Sequence, residues 1–308
     1  MKAREIYSGT MKFVWLKLAI SAVGVLATGL TGGLFALIGS IFSQYAATLF
    51  GIFGLAVGIG IWFAIGHYFG YMVKAGHVAV VAHALSTGAL PQNQTEWAKE
   101  AVKSRFATAN VYYVVDSLVN GAVSQLRKAV NLAAELLKFV PGISFAQSFA
   151  DQLVSTVLGN VDECCLGWCF LHREMGSFHA SCDGVSIFFQ NSKQLLKSGA
   201  KHSLAVTAVS AAAFFLVGLF CVLLFHKSAV ACIIALVIGF SLIYACKAAF
   251  LNSYTMIKMM AAYMQLAPDT VLNYDLYAKL CGLSSKFKKL YEQAREEMNK
   301  ATETAVQE

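Results

Sequence analysis

Two long stretches of the chain carry almost no charged side chains. The first lies between Lys17 and Lys74 and contains no aspartate, glutamate, lysine or arginine. About 20 apolar residues cross the hydrocarbon core of a bilayer, so this stretch is long enough for two crossings. We predict a first transmembrane hairpin with spans at residues 16–42 and 46–71 and a turn at residues 43–45.

The second stretch lies between His202 and Cys246 and is interrupted at His226-Lys227. Its two apolar halves are again each long enough to cross a bilayer. They predict a second hairpin with spans at residues 203–225 and 229–250.

The segments between and after the hairpins have the apolar spacing of amphipathic helices. Residues 118–137 place an apolar stripe opposite a polar one, and Pro141-Gly142 would end that helix. Further helices are predicted at residues 145–171 and 178–196. A last helix is predicted after Ser284-Ser285, whose side chains are suited to an N-cap.

These elements predict an all-α fold: a polytopic helical membrane protein with two transmembrane hairpins and amphipathic helices between and after them. The short alternating segments of a membrane β-barrel are missing from the pattern. We divide the chain into a first hairpin at residues 1–76, an amphipathic and partly membrane-embedded region at 77–202, a second hairpin at 203–252 and cytoplasmic C-terminal helices at 253–308.

Composition and charge agree with a membrane protein and indicate its orientation. The chain is 57% hydrophobic and only 13% charged, whereas about a quarter of residues are charged in soluble domains. With both hairpin turns outside, Lys227 is the one outer residue among 24 lysines and arginines. The positive-inside rule then predicts cytoplasmic termini and contact with the lipid bilayer. The net charge of +7 fits anionic lipids, and no basic stretch interleaved with aromatics suggests nucleic acid.

Small residues lie where helices would touch. They form three Gly-x-x-x-Gly motifs, which allow close approach of helix backbones. The motifs either pack the first two spans against each other or form the interface of a homo-oligomer. They are Gly29 with Gly33, Gly54 with Gly58, and Gly66 with Gly70.

Cofactor and enzyme motifs do not stand out. Cys165, Cys169 and His172 share one helical face, but the short clips typical of zinc sites are missing, so we predict no metal and no cofactor. The chain has no Walker loop, G-x-S-x-G or H-E-x-x-H motif, and we predict no enzymatic activity.

Short motifs in the middle and C-terminal parts of the chain occur in the order found in one family. Over about residues 70–290 the chain resembles the choline transporter-like family, whose members are longer. The resemblance implies a transporter that moves choline or a related organic cation by gated alternating access. The motifs are Gly76-His77-Val78-Ala79-Val80-Val81-Ala82-His83, Tyr113 with Ser117-Leu118-Val119-Asn120-Gly121, Gln125-Leu126-Arg127, Cys164-Cys165-Leu166-Gly167-Trp168-Cys169, Gly176-Ser177-Phe178-His179-Ala180-Ser181 with Asn191, and Tyr254 with Asp269-Thr270-Val271-Leu272-Asn273.

Aromatic residues near a lone carboxylate form the candidate substrate site. Aromatic faces recognise a quaternary ammonium, each contributing about 0.5 to 2 kcal/mol, and a carboxylate adds a counter-charge. The same tryptophan and tyrosines are also typical of the aromatic belts at span ends. The candidate residues are Trp62, Tyr68, Tyr71, Tyr112, Tyr113 and Asp116.

The rival hypothesis is a non-transporting membrane scaffold that oligomerises or anchors a partner. The two hypotheses differ in the polarity of the membrane bundle. A transporter needs polar groups that converge on a cavity at membrane depth, whereas a scaffold does not. Asp116, Asn120, His67 and Lys247 are the residues that favour transport, if they lie inside the bundle.

Overall fold

A computed structural model describes residues 1–106, 109–130, 154 and 159–307. Throughout these residues the regular structure is helical, as the hydrophobic pattern predicts. In chain order the helices are α1 Ala3–Gly9, α2 Met11–Ser40, α3 Gln44–Ile65, a π-helix Gly66–Gly70, α4 Tyr71–Thr87, α5 Gln94–Arg105, α6 Ala109–Val130, α7 Val161–Leu171, α8 Ser177–Gln190, α9 Ser192–Phe225, α10 Ala229–Cys246, a π-helix Lys247–Leu251, α11 Asn252–Leu266, a 3₁₀ turn Ala267–Asp269, α12 Tyr274–Leu283 and α13 Ser285–Gln307.

Four helical stretches in the described residues are long and apolar enough to cross a membrane. They are Met11–Ser40, Gln44–Ile65, Leu204–Phe225 and Ala229–Asp269. The first three match the predicted spans closely. The fourth contains 41 residues and measures about 60 Å at the helical rise, twice the thickness of a hydrocarbon core, so only part of it can cross.

The contacts divide the chain into two compact units that interleave along the sequence. The hairpin unit consists of Met11–Lys74 and Ala205–Ser253, which contain both predicted hairpins. The helical unit consists of Met1–Thr10, Ala75–Leu204 and Tyr254–Glu308. Each unit therefore combines segments that our consecutive division of the sequence keeps apart.

The hairpin unit is held together by close contact between α2 and α3. An added Cβ at Gly54 would lie 2.4 Å from the Thr31 carbonyl oxygen, and one at Gly58 would lie 2.3 Å from Cα of Thr28. These glycines therefore pack against α2, the first of the predicted spans, and this is the intramolecular alternative predicted from the sequence. The turn itself is shifted, because Ser43 caps α3 through a bond from the Ala46 N–H to its Oγ, 3.0 Å long.

The helical unit surrounds its own apolar core. Phe188, Tyr263 and Phe287 are among its largest fully buried side chains. Ser284 caps α13 as expected, since its Oγ accepts the Phe287 N–H at 3.0 Å. The described helix α13 runs from Ser285 to Gln307.

Several predicted helices differ from the observed ones or lie partly outside the described residues. The helix predicted at 178–196 ends at Gln190, because α9 starts at Ser192 and continues to Phe225. The helix predicted at 118–137 is described as far as Val130, and this part belongs to α6. The described helix α6 is not one of the four candidate membrane spans. Pro141-Gly142 and most of the helix predicted at 145–171 lie outside the described residues.

Candidate functional site

The hairpin unit contains a cavity of about 720 Å³. Ligand pockets typically measure about 300–1,000 Å³, so its size suits a small organic molecule. Aromatic and aliphatic side chains form most of its wall, and two serines and a histidine add polar groups. The cavity is lined by Ser21, Ile59, Trp62, Phe63, Ala64, Gly66, His67, Ser241 and Tyr244.

Trp62 is placed at this cavity by a glycine on the neighbouring helix. A Cβ added to Gly24 of α2 would lie 2.0 Å from Cδ1 of the indole, so Trp62 occupies the space that a side chain would need. From α10, Tyr244 meets the indole nearly at a right angle, with ring centroids 6.1 Å apart. Two aromatic rings from different helices thus meet at the cavity, and aromatic faces are groups that can attract a cation.

Both π-helices lie next to residues of the cavity. Gly66–Gly70 contributes Gly66 and His67 to the wall. The second, Lys247–Leu251, begins shortly after Ser241 and Tyr244. Single π turns inside α-helices frequently mark functional sites, because they change the backbone geometry locally. Their placement makes this cavity the strongest candidate site in the hairpin unit.

The other aromatic candidates of the first hairpin lie outside this cavity. Tyr71 lines a separate groove of about 700 Å³. The remaining residues of that groove are apolar, among them Ile20, Phe69 and Met72, so it offers a cation little polar contact. Tyr68 falls in the first π-helix, and its side chain lies outside the described part of the chain.

Asp116, Tyr112 and Tyr113 belong to the helical unit rather than to the hairpin unit. Tyr112 is buried, and its ring lies 5.5 Å from that of Tyr113. Asp116 and Tyr112 line a cavity of only about 10 Å³, shared with Asp162 and Ser181. A space of that volume holds about one water molecule and is far too small for choline. Asp116 and Trp62 therefore belong to different units, and the small cavity that Asp116 lines has no room for choline.

The charges of the hairpin unit are all positive. Its two sequence ranges contain no aspartate or glutamate, and all 17 acidic residues lie elsewhere in the chain. Lys17 donates from Nζ to Ser253 Oγ at 3.1 Å. A cation in the Trp62 cavity would thus meet aromatic faces without a carboxylate from the same unit. The lysines are Lys12, Lys17, Lys74, Lys227 and Lys247.

Four cysteines of the helical unit are buried thiols: Cys164, Cys165, Cys169 and Cys182. Burial raises the pKa of Cys164 and Cys165 well above the ordinary value, with a smaller contribution from nearby acidic side chains. Cys169 Sγ lies 3.1 Å from Ser181 Oγ, and His172 Nδ1 lies 3.1 Å from the Trp168 carbonyl oxygen. Among the described residues no three histidine, cysteine or acidic side chains gather as metal ligands would.

The distant partners of Trp62 do not follow from the sequence. Ser241 and Tyr244 reach the cavity from the second hairpin, about 180 positions further along the chain. Amphipathic spacing relates residues on one helix and carries no information on which helices meet. A local signal exists only for Gly24, whose small size at a predicted helix interface indicates close packing.

Comparison with known proteins identifies no similar protein. No family model, curated protein or solved structure matches the chain. The resemblance to the choline transporter-like family stays a prediction.

Proposed function

We propose that this protein is a non-transporting integral membrane scaffold, in which the hairpin unit anchors the folded helical unit to a bilayer. The observation that carries the proposal is the distribution of charge. All acidic residues belong to sequence ranges outside the hairpin unit, and Asp116, the carboxylate on which transport depends most, lines a cavity the size of one water. The Trp62 cavity does contain the polar residues Ser21, His67 and Ser241, but the hairpin unit offers a cation no carboxylate, and this lack of a counter-charge favours the scaffold.

Energetics support the same choice. Trp62 and Tyr244 would together contribute about 1 to 4 kcal/mol to binding of an organic cation. Binding at millimolar concentration already needs about 4 kcal/mol, so two rings alone give a weak site. The lysines of the hairpin unit oppose a cation further, whereas a scaffold has no need of a counter-charge.

The connection between the two units supports anchoring. The long helix α9 begins in the helical unit at Ser192 and continues to Phe225 in the hairpin unit. A continuous helix joins an apolar span to a folded core without a loop.

The proposed orientation has both termini in the cytoplasm. It follows from Lys227 at the turn of the second hairpin and from the basic residues flanking the other span ends. An impermeant thiol reagent applied from outside should label Ser43→Cys and Ser228→Cys above the unsubstituted protein. Labelling of Ser285→Cys from outside would contradict the orientation.

An uptake measurement tests the proposed function. The purified chain in proteoliposomes should take up no more radiolabelled choline than protein-free vesicles. Choline should also leave the thermal unfolding temperature unchanged, and that same unfolding curve shows that the sample is folded. Choline uptake above the protein-free vesicles would overturn the proposal.

Organic-cation transport is the second candidate, favoured by the aromatic cavity at Trp62 and the adjacent π-helix. If the chain transports choline through this cavity, Trp62→Ala should abolish uptake. Trp15→Ala is the matched control, because Trp15 packs on Phe250 and does not line the cavity. Uptake lost in the first variant and kept in the second would establish transport.

A homo-oligomer is also part of the scaffold proposal. In the Gly29 and Gly33 motif, an added Cβ at Gly29 would meet Ile238, whereas one at Gly33 would meet no described atom within 4 Å. A second copy packing there should be sensitive to bulk. Gly33→Leu should therefore shift the oligomeric state, which light scattering in detergent measures. If the wild type and the variant both have the mass of a monomer, the proposed homo-oligomer is contradicted.

A further inference from the structure

Basic side chains line a cavity in the helical unit that the proposed function does not use. Its volume is about 560 Å³, and segments around α1, the end of α4, the start of α9 and α11 form it. Among the described residues that line it, none is an aspartate or glutamate. Its charged and polar side chains are Lys2, Ser198, His202, Thr255, Lys258 and Gln265.

One tyrosine fixes two of these basic side chains. The ring of His202 meets Tyr254 edge-on with centroids 5.2 Å apart, and Nε2 of His202 lies 3.1 Å from Thr255 Oγ1. The Lys258 ammonium lies over the same tyrosine ring, 5.5 Å from its centroid. Both basic groups are therefore held on one wall of the cavity.

The electrostatic environment of this wall is positive. Burial, together with the nearby Lys258 ammonium, lowers the pKa of His202. A neighbouring carboxylate, Glu5, accepts the backbone N–H of Lys2 at 2.9 Å and does not line the cavity. Positively charged groups that surround a shared space create a favourable position for an anion.

The cavity also lies close to the start of a membrane span. The third candidate span begins at Leu204, two residues after His202. Two residues correspond to about 3 Å along a helix, so His202 is near the level at which the hydrocarbon core would end. Phosphate groups of lipids lie at that level, where basic side chains attract anionic headgroups.

We propose that this cavity binds a phosphate-bearing anion. Lys2 and Lys258 would donate charge-assisted hydrogen bonds to the phosphate oxygens. The remaining volume accommodates the organic part of a headgroup or of a soluble phosphate ester. This site would bind its ligand whether or not the protein acts as a scaffold.

Thermal unfolding of the full chain in phosphatidylcholine nanodiscs tests the proposal. One arm adds sodium phosphate against sodium chloride of the same ionic strength, and the other incorporates phosphatidic acid into the nanodiscs. The unfolding temperature should rise in at least one arm, since a ligand that binds the folded state stabilises it. A rise with soluble phosphate alone identifies a soluble source, and a rise with phosphatidic acid alone identifies a lipid headgroup.

The variant Lys258→Gln should weaken the apparent affinity about ten-fold, as expected for loss of one charge-assisted bond. Lys289→Gln is the matched control, because Lys289 is exposed on α13 and does not line the cavity. Ligand-free unfolding temperatures show whether each variant folds, and Lys2→Gln supplies an independent second variant. No rise in either arm, or equal weakening by Lys258→Gln and Lys289→Gln, would overturn the proposal.

Discussion

The hairpin unit and the helical unit bury their residues by different means. In the hairpin unit, glycines bring two backbones together, while large side chains such as Leu30 and Phe63 are 72% and 76% exposed and would face lipid. In the helical unit, Phe188 and Phe287 are fully buried among other residues of the chain. The helical unit thus supplies its own core, whereas the hairpin unit leaves a large apolar surface exposed, which a bilayer would cover under the proposed function.

The largest expected effect comes from the core of the helical unit. Phe287→Ala should destabilise the protein by about 3 to 5 kcal/mol, because it removes a fully buried ring and leaves a cavity. Tyr274→Ala is the control, since that ring is 72% exposed. Thermal unfolding in nanodiscs measures both, and equal unfolding temperatures would contradict the description of this core.

The next effect concerns the backbone contact of the hairpin unit. Gly58→Leu should cost about 1 to 3 kcal/mol, because the new Cβ would overlap Cα of Thr28 in a rigid helix. Gly60→Leu serves as the control, since an added Cβ there meets nothing within 4 Å. Unfolding temperatures in detergent should separate the two variants, and a silent Gly58→Leu would mean that this glycine faces lipid.

A smaller effect is expected where two helices of the helical unit meet. Glu297 Oε2 accepts the N–H groups of Phe178 and His179 at 2.9 and 3.2 Å, and so caps α8 from α13. Glu297→Ala should cost about 1 to 2 kcal/mol through loss of this cap and of its charge at the helix N-terminus. The exposed Glu296→Ala should cost less. Similar losses in both variants would show that charge alone, without capping, stabilises the helix.

The smallest expected effect is a dependence on pH. Asp183 is buried, and burial raises its pKa above the ordinary 3.8, although a hydrogen bond from the Tyr277 hydroxyl at 2.7 Å and nearby His179 act in the opposite direction. A raised folded-state pKa means that the folded protein holds the proton longer than the unfolded chain. The stability contributed by protonated Asp183 is therefore present below pH 3.8 and is lost as pH rises through the raised pKa.

Asp183→Asn removes this titration and keeps an oxygen that accepts from Tyr277. The difference in unfolding temperature, variant minus wild type, should increase as pH rises from about 4 to 7, because only the wild type loses stability through this titration. Tyr277→Phe should move the wild-type transition to higher pH, because it removes the bond that favours the carboxylate. Parallel pH profiles for wild type and Asp183→Asn would contradict the assignment.

The sequence predicts the parts of the fold that depend on local pattern. The spans, the packing of Gly54 and Gly58 and the Ser284 cap all follow from spacing or residue type within one or two helices. Glu297 as a cap for α8 was not predictable, because 119 residues separate it from Phe178. The π-helix at Gly66–Gly70 was missed as well, since its residues also fit an ordinary apolar helix.

The candidate site was predicted only in part for the same reason. Trp62 lies at an aromatic cavity, but its partner Tyr244 comes from the other hairpin. Few charges surround Asp116 in the sequence, and this composition predicts a position beside the membrane aromatics. The contacts place it in a different unit, which apolar composition alone does not reveal.

Each π-helix changes the direction in which the side chains of the following helix point. The first joins α3 to α4, and the second joins α10 to α11. A π turn holds one residue more than the α turn it replaces, and one residue corresponds to a rotation of about 100°. Beyond Gly66–Gly70, the side chains of α4 are therefore out of phase with the stripe that Gly54 and Gly58 form on α3. The glycine stripe therefore ends at the π-helix, and α4 around Val78 is buried on all its sides instead of along one stripe.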